Sequence, residues 1–434
     1  DDWAQPQHNP QEASAAKYGI TFTAGPEAEC NMPDEDGVIN LVTVNSTDAD
    51  VTGYTLKDLK VNGEAIKGEI VGNNIQVDAN ELEKILCTQN KSRASVARDI
   101  NVESKVSVNL ASGDAVAINT VGTTMAKLTP TPTPAIDEQG YYMLGEVNGN
   151  GWDNTNPEWM TKVSDGVYQL KVTTEKDKNW FKFYEGSKFV SGDWDAINSG
   201  ALGCKENGCE DASGYIYFTG DKWGELQTIV IPGAGTWIVT LDMNNLSYSV
   251  GKPILYMAGD ANGWKQIDVL NSDDGVHFTG YMYLNQNGFK FSTQPNWDGT
   301  NYGADFDTAP DAGNIVIKEE AGFYQVDVNL SEKTYTLTPF TIGIIGNATP
   351  KGWGGDTDMT YNPKERCWEL KDVTLTDGEM KFRHTNDWSL NWGGPLDALV
   401  HDGANIAINE AGTYDIKLYV DWEGNTAKCE MTKK

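Results

Sequence analysis

Long apolar runs are missing from this sequence. No stretch of about 18 consecutive apolar residues occurs, so no segment of it is built as a membrane-spanning helix. Histidine is scarce, and His8, His277, His384 and His401 show neither metal-ligand spacing nor the arrangement of a catalytic triad. Basic residues are outnumbered, 33 against 63 acidic in 434 residues. The resulting formal charge of −30 repels phosphate backbones and offers no basic stripe, which argues against nucleic acid as a partner. Cysteine is sparse as well: six are too few for a disulfide scaffold and wrongly spaced for zinc. Cys204 and Cys209 are spaced to close a small loop. Cys367 and Cys429 need adjacent strands, because a bridge needs Cα atoms within about 7 Å. Cys30 and Cys87 remain, and buried free thiols are the other reading for most of the six. The count favours an extracytoplasmic setting. The polar opening Asp1-Asp-Trp-Ala-Gln-Pro6, without a signal peptide, is that expected of a mature or trimmed start.

What the sequence does have is internal repetition, the first feature to settle in any fold reading. From about Tyr141 onward one pattern occurs three times: a hydrophobic strand entering a Gly-containing loop with one Trp, then an apolar-Lys-apolar strand entering a loop with another. The copies run Tyr142 to Trp152, Phe181-Lys182-Phe183 and Trp194; Ile254 to Trp264, Phe289-Lys290-Phe291 and Trp297; Ile344 to Trp353, Met380-Lys381-Phe382 and Trp388. Each copy ends in a matching strand pair, Thr228 to Leu241, Asn314 to Val328 and Asn405 to Leu418. Short strands at regular spacing with polar turns predict antiparallel β-sandwiches. The first copy is longest, with an insertion around Gly200–Asp221.

Ahead of the repeats, alternating runs at Val38–Val44, Ile70–Val77 and Lys105–Leu110 predict strands, and Ala79–Leu86 predicts one helix with Asp78 as its N-cap. This reads as a small immunoglobulin-like β-sandwich whose role is spacing. Thr129-Pro-Thr-Pro-Thr-Pro134 follows, and its alternating prolines predict a stiff polyproline II spacer. The expected architecture is all-β: an N-terminal immunoglobulin-like sandwich over 1–128, a linker over 129–135, and tandem β-sandwich modules over 136–252, 253–339 and 340–434.

Among the 14 tryptophans, Trp180 and Trp237 read as core. Trp152, Trp264 and Trp353 stand beside Gly and Asn in loops, and Trp194, Trp297 and Trp388 in polar stretches. A large apolar ring has little reason to be there unless something stacks on it, so exposure is expected for all six. Lys182, Lys290 and Lys381 point away from their apolar strand neighbours by period two, hence outward beside the rings. Two rings and one ammonium imply a sugar chain: a pyranose has an apolar C–H face that lies on indole and rim hydroxyls that bond to the cation.

The spacing Asn262-Gly-Trp264, Phe289-Lys290-Phe291 and Trp297, with a step of seven from Lys to Trp, resembles the glycogen-binding module of AMP-activated kinase. The whole chain, including the Asn391-Trp-Gly-Gly394 stretch, resembles the SusE/SusF family of surface starch-binding lipoproteins of starch utilisation systems. The resemblance implies starch and maltooligosaccharides as partners, with other starch-utilisation outer-membrane proteins beside them. It also implies a surface-exposed place on the outer membrane, through an N-terminal lipid anchor outside this sequence, and no cofactor or metal. It makes Trp152, Lys182 and Trp194 the first site, Trp264, Lys290 and Trp297 the second, and Trp353, Lys381 and Trp388 the third. In the first copy the step from Lys182 to Trp194 is twelve, and Lys188 is the alternative cation. In the third, Trp392 competes with Trp388, and Arg383 shares the strand face of Lys381. Asn314 and Asn405 open equivalent strands and are candidate glucan contacts, with Thr228 at that place in the first copy.

Glycoside cleavage needs a general acid and a base or nucleophile about one bond, and no carboxylate pair recurs beside the Trp-Lys-Trp sets, so a non-catalytic binding protein is expected. The alternatives are an adhesion or scaffold protein whose rings bind another protein, and an array binding β-glucan or chitin. His384, near the third site, reads as a solvated loop residue or a ligand contact.

Overall fold

The computed structural model describes residues 12–434; His8 lies outside them. The chain is all-β, with 39 short strands and two α-helices among the described residues. It packs as two compact units. One holds the residues up to Leu170 together with Lys176–Gly233 and Val239–Val250; the other holds Lys171–Glu175, Ala234–Ile238 and Gly251–Lys434.

In the first unit, a four-stranded sheet (Ile20–Ala24, Val38–Ser46, Asn74–Asp78, Gly68–Val71) faces a seven-stranded one centred on Arg98–Leu110. Alternation along the strands sends Ile39, Leu41, Val102, Val106 and Val108 into one core, and Val44 joins them past a bulge between Asn40 and Val42. The run Ile70–Val77 is two strands, because Gly72 at φ +61° turns the chain between Val71 and Asn74. The helix runs Ala79–Asn90, longer than its apolar pattern, and Asp78 caps it by accepting from Glu81 N at 2.9 Å.

Thr129–Pro134 does not stand as a spacer. Glu83 on the helix accepts from both the backbone and hydroxyl of Thr131 at 2.6 Å, and Ser95 donates to Pro130 O. The insertion of the first repeat then docks on the N-terminal sandwich. Arg93 donates to both Asp221 oxygens at 2.8 and 3.0 Å, with the two side chains 4% and 0% exposed, and its guanidinium lies 3.9 Å from the Trp223 ring centre. Lys222 pairs with buried Glu83 at 2.7 Å.

Residues 141–251 hold a six-stranded and a five-stranded sheet, residues 254–339 one curled seven-stranded sheet, and residues 342–433 a ten-stranded one. Each of the last two has its own apolar core, and side chains of the former join that of the latter: Phe323 meets Tyr361 and Trp368 at 4.6 and 4.8 Å, and Tyr281 stacks on Trp422 at 4.6 Å. Trp180 and Trp237 are half-buried, not core. Trp237 donates to Thr174 Oγ1, with the Lys252 ammonium 3.9 Å from its ring centre. All six cysteines are free thiols. Cys367 and Cys429 lie on strands separated by Gly412–Asp421, which pairs with both.

Candidate functional site

The three lysines occupy one register position. In the strands Lys178–Glu185, Phe289–Ser292 and Gly378–His384, Lys182 lies opposite Leu144, Lys290 opposite Ala258 and Lys381 opposite Ile345. Their neighbours Phe181, Phe183, Phe289, Phe291, Met380 and Phe382 are buried on the other face, as period two requires. Each facing strand ends in a glycine. A Cβ on Gly145, Gly259 or Gly346 would sit 2.2 Å from Trp180 O, 2.5 Å from Phe289 Cβ or 2.1 Å from Glu379 O, so only hydrogen lets the lysine strand come that close. From that glycine the chain leaves into the first tryptophan loop. Trp152 and Trp264 are held at φ +62° and +61°, a conformation that bulky residues adopt only where the surroundings impose it.

The third site is the most fully assembled. The Trp353 and Trp388 rings are 41% and 46% exposed, 6.4 Å apart between centres and tilted by 34°. Beneath Trp388 lie the Arg383 guanidinium, 4.6 Å from its centre, and the Lys381 ammonium at 5.9 Å. Asp356 grips Arg383 through two bonds of 2.7 Å and also accepts from Asn386 N. Burial pushes the Asp356 carboxyl up, but those bonds outweigh it and hold it below its ordinary value. Lys381 is buried, not outward in solvent: it donates to Asn391 Oδ1, and burial holds its ammonium below the usual lysine range. Asn391 also donates to Trp388 O at 3.0 Å and to Asp402. One amide thus ties the cation to the ring's backbone.

In the second site Lys290 and Trp297 line a cleft of about 530 Å³ with Thr300, Asn301, Thr308 and Pro310. Asn301 donates to Trp297 O at 2.9 Å and accepts from Ser292. Trp264 is exposed but is not one of the walls of this cleft. In the first site Trp194 is exposed at the start of the helix Trp194–Ser199, which Asp193 caps. Trp152, expected exposed, is half-buried against an outer cluster of Tyr142, Leu144, Tyr184, Ile197 and Ala201. Lys182 holds the register place, and burial lowers its ammonium. Lys188 pairs instead with Glu185 and lines a separate cleft beside Asp137.

Residues 1–130 match the family model described as "Outer membrane protein SusF, N-terminal domain", and residues 135–252 the model described as "SusF, first starch specific CBM". Outer membrane protein SusF of Bacteroides thetaiotaomicron is 27% identical over 389 residues, which cover 81% of this chain and 76% of that protein. The chain is a SusF-like protein. The crystal structure of SusF from the same species aligns with a TM-score of 0.47 at 21% identity, covering 95% of this chain and 100% of that one.

Several candidates of this SusF-like chain stand differently from their sequence reading. Trp392 is fully buried and faces Phe382 across the strand pair, as Tyr302 faces Phe291 and Leu202 faces Phe183; it is a core residue, and the exposed ring is Trp388. Arg383 is buried beneath the ring, where it supports Trp388. Asn314 and Asn405 are exposed, each one residue before the isoleucine that pairs with the lysine strand, and the Asn405 amide donates to Glu379 at 2.7 Å. His384 stacks on Phe340 at 4.2 Å. Sequence reasoning missed Trp159, 46% exposed over Tyr142, and the amides Asn301 and Asn391. The recurrence Asn301-Tyr-Gly303 and Asn391-Trp-Gly393 was the available signal. Glu365, Cys367 and Glu369 come within 4.8 Å of one another, but Glu365 pairs with Lys417 and burial pushes the Cys367 thiol up, so nothing there favours a cation.

Proposed function

We propose that this chain binds starch without cleaving it, through one ring site in each of the segments 136–252, 253–339 and 340–434, with 1–128 as an N-terminal sandwich and 129–135 as the join. The observation that carries this is the Trp353–Trp388 pair: two exposed rings, 6.4 Å apart and tilted by 34°, over a cationic floor. Indole faces take up the apolar faces of pyranoses. A flat polymer such as cellulose asks for coplanar rings, whereas a tilt follows the curvature of an α-1,4-glucan. The matched descriptions name an outer membrane protein and a starch-specific module, which supports the same reading and an outer-membrane location. A surface-facing lipid anchor outside this sequence, and neighbours among starch-utilisation proteins, fit that setting. In the third site Asp356 is committed to Arg383, which leaves that carboxylate unsuited to proton transfer.

Native gels containing amylopectin, pullulan, dextran or cellulose, with a reducing-end assay on the same protein, test the proposal. Retardation by amylopectin and pullulan with no sugar released is expected. Retardation by cellulose alone, or release of reducing ends by pure protein, would overturn it.

A further inference from the structure

The loop that carries Trp264 is held shut by one amide. Asn262 Oδ1 accepts from Gly259 N at 3.0 Å and from Lys265 N at 3.3 Å, so the strand end before the ring and the residue after it hang on the same oxygen. Its nitrogen donates to Met257 O at 2.9 Å and to Asp268 Oδ2 at 2.8 Å. The Asp268 side chain is only 9% exposed, and a carboxylate that far from water needs a counter-charge. Its own segment supplies none. The partner is Arg366, 98 residues on, which donates to Oδ1 at 2.6 Å and to Oδ2 at 3.3 Å from the turn before the strand Cys367–Leu375.

The other two loops are closed by bonds within their own segments. Asn150 accepts from Gly145 N at 3.0 Å as Asn262 does from Gly259, but its nitrogen donates to Asn156 O at 2.8 Å and Asp153 O at 3.4 Å in the same loop. Thr349 closes the third loop on Gly346 O at 2.7 Å. The second loop runs its support out of its segment and into the next. Its ring stands at φ +61°, where a tryptophan stays only if its surroundings over-determine it.

We propose that Arg366 is a positioning residue for the second site: it holds Asp268, Asp268 orients Asn262, and Asn262 fixes the loop that presents Trp264. The third segment then completes the second segment's site, and their order along the chain matters beyond the number of sites. The proposal rests on the reading of Trp264 as a ligand ring.

The test uses the full chain in two backgrounds. One carries Trp152→Ala, Trp194→Ala, Trp353→Ala and Trp388→Ala and keeps only the second site. The other carries Trp152→Ala, Trp194→Ala, Trp264→Ala and Trp297→Ala and keeps only the third. Arg366→Met is added to each, and maltoheptaose binding is measured by calorimetry. In the first background Kd should rise about two- to thirtyfold, the range of coupling through a hydrogen-bonded network, and Arg366→Lys should recover most of the loss. In the second background Kd should stay the same, which also reports that the third segment is folded. Equal losses in both backgrounds would make Arg366 a general structural residue and overturn the proposal. An unchanged Kd for Arg366→Met in the first background, where Trp264→Ala does weaken binding, would overturn it and leave the ring assignment standing. No effect of either change would overturn both.

Discussion

Arg383 lies under Trp388, its guanidinium carbon 4.6 Å from the ring centre, and Asp356 grips it by two bonds of 2.7 Å. A planar cation below an indole leaves the upper face open and fixes its height. The ring of the proposed third site is therefore placed by a buried ion pair beneath it.

That arrangement carries a pH dependence. The Asp356 carboxyl is held below its ordinary 3.8, so the stabilisation it contributes is complete above that value and is lost as pH falls through the lower folded value. Third-site affinity and the melting temperature should stay level from neutral pH to about pH 4 as far as this group is concerned, and fall below it. Calorimetry on maltoheptaose across that range, in a chain keeping only the third site, checks this; Asp356→Asn should remove the acid limb.

Trp388 and Trp392 separate stacking from packing. Covering an indole face with a sugar removes about 60–80 Å² of apolar surface from water, worth on the order of 1.5–2 kcal/mol. Trp388→Ala should weaken the third site about tenfold or more and leave the melting temperature nearly unchanged. Trp392→Ala should cost about 3–5 kcal/mol of stability through the cavity it leaves. Paired binding and chemical-unfolding measurements distinguish the two; similar stability losses from both would contradict the assignment.

Arg93→Met tests the docking of the first repeat on the N-terminal sandwich. It leaves Asp221 buried without its cation, a change that costs about 3–5 kcal/mol in comparable settings. Proteolysis within Thr129–Pro134 should accelerate at least about tenfold, because opening there is governed by local free energy. An unchanged cleavage rate would show that the join is protected by something else.

Three sites on one chain facing a repeated ligand, as proposed, should act by avidity. A shallow two-ring site holds a short oligosaccharide weakly, since association alone costs an estimated 4–15 kcal/mol. Once one site is engaged the others see sugar at high effective concentration, and avidity exceeds single-site affinity by about 10²–10⁴. Removing one site should cost little on maltoheptaose beyond stoichiometry, while removing two should cost disproportionately on starch granules. Depletion onto granules by single and double site knockouts measures it; a loss of one third per site at unchanged affinity would make the sites independent.

The sequence by itself determined the features that arise from neighbouring residues. Period two in Phe181-Lys182-Phe183 and its two counterparts placed the lysines opposite the core face. Asp78 before an apolar helical run located the cap, and the triple recurrence of strand, loop Trp and lysine aligned the three lysine strands at one register position. Tertiary structure decided what depends on residues far apart in the chain. Trp388 and Trp392 look alike in sequence, yet pairing with Phe382 sends one ring into the core and leaves the other exposed. Lys381 is buried because Asn391 lies across the strand pair, and the proline-rich join lies flat because Glu83, 48 residues earlier, takes both donors of Thr131. Cys367 and Cys429 stay apart because a strand lies between theirs. Local periodicity states which face a side chain takes; only long-range register states what stands opposite, and burial and partner follow from that.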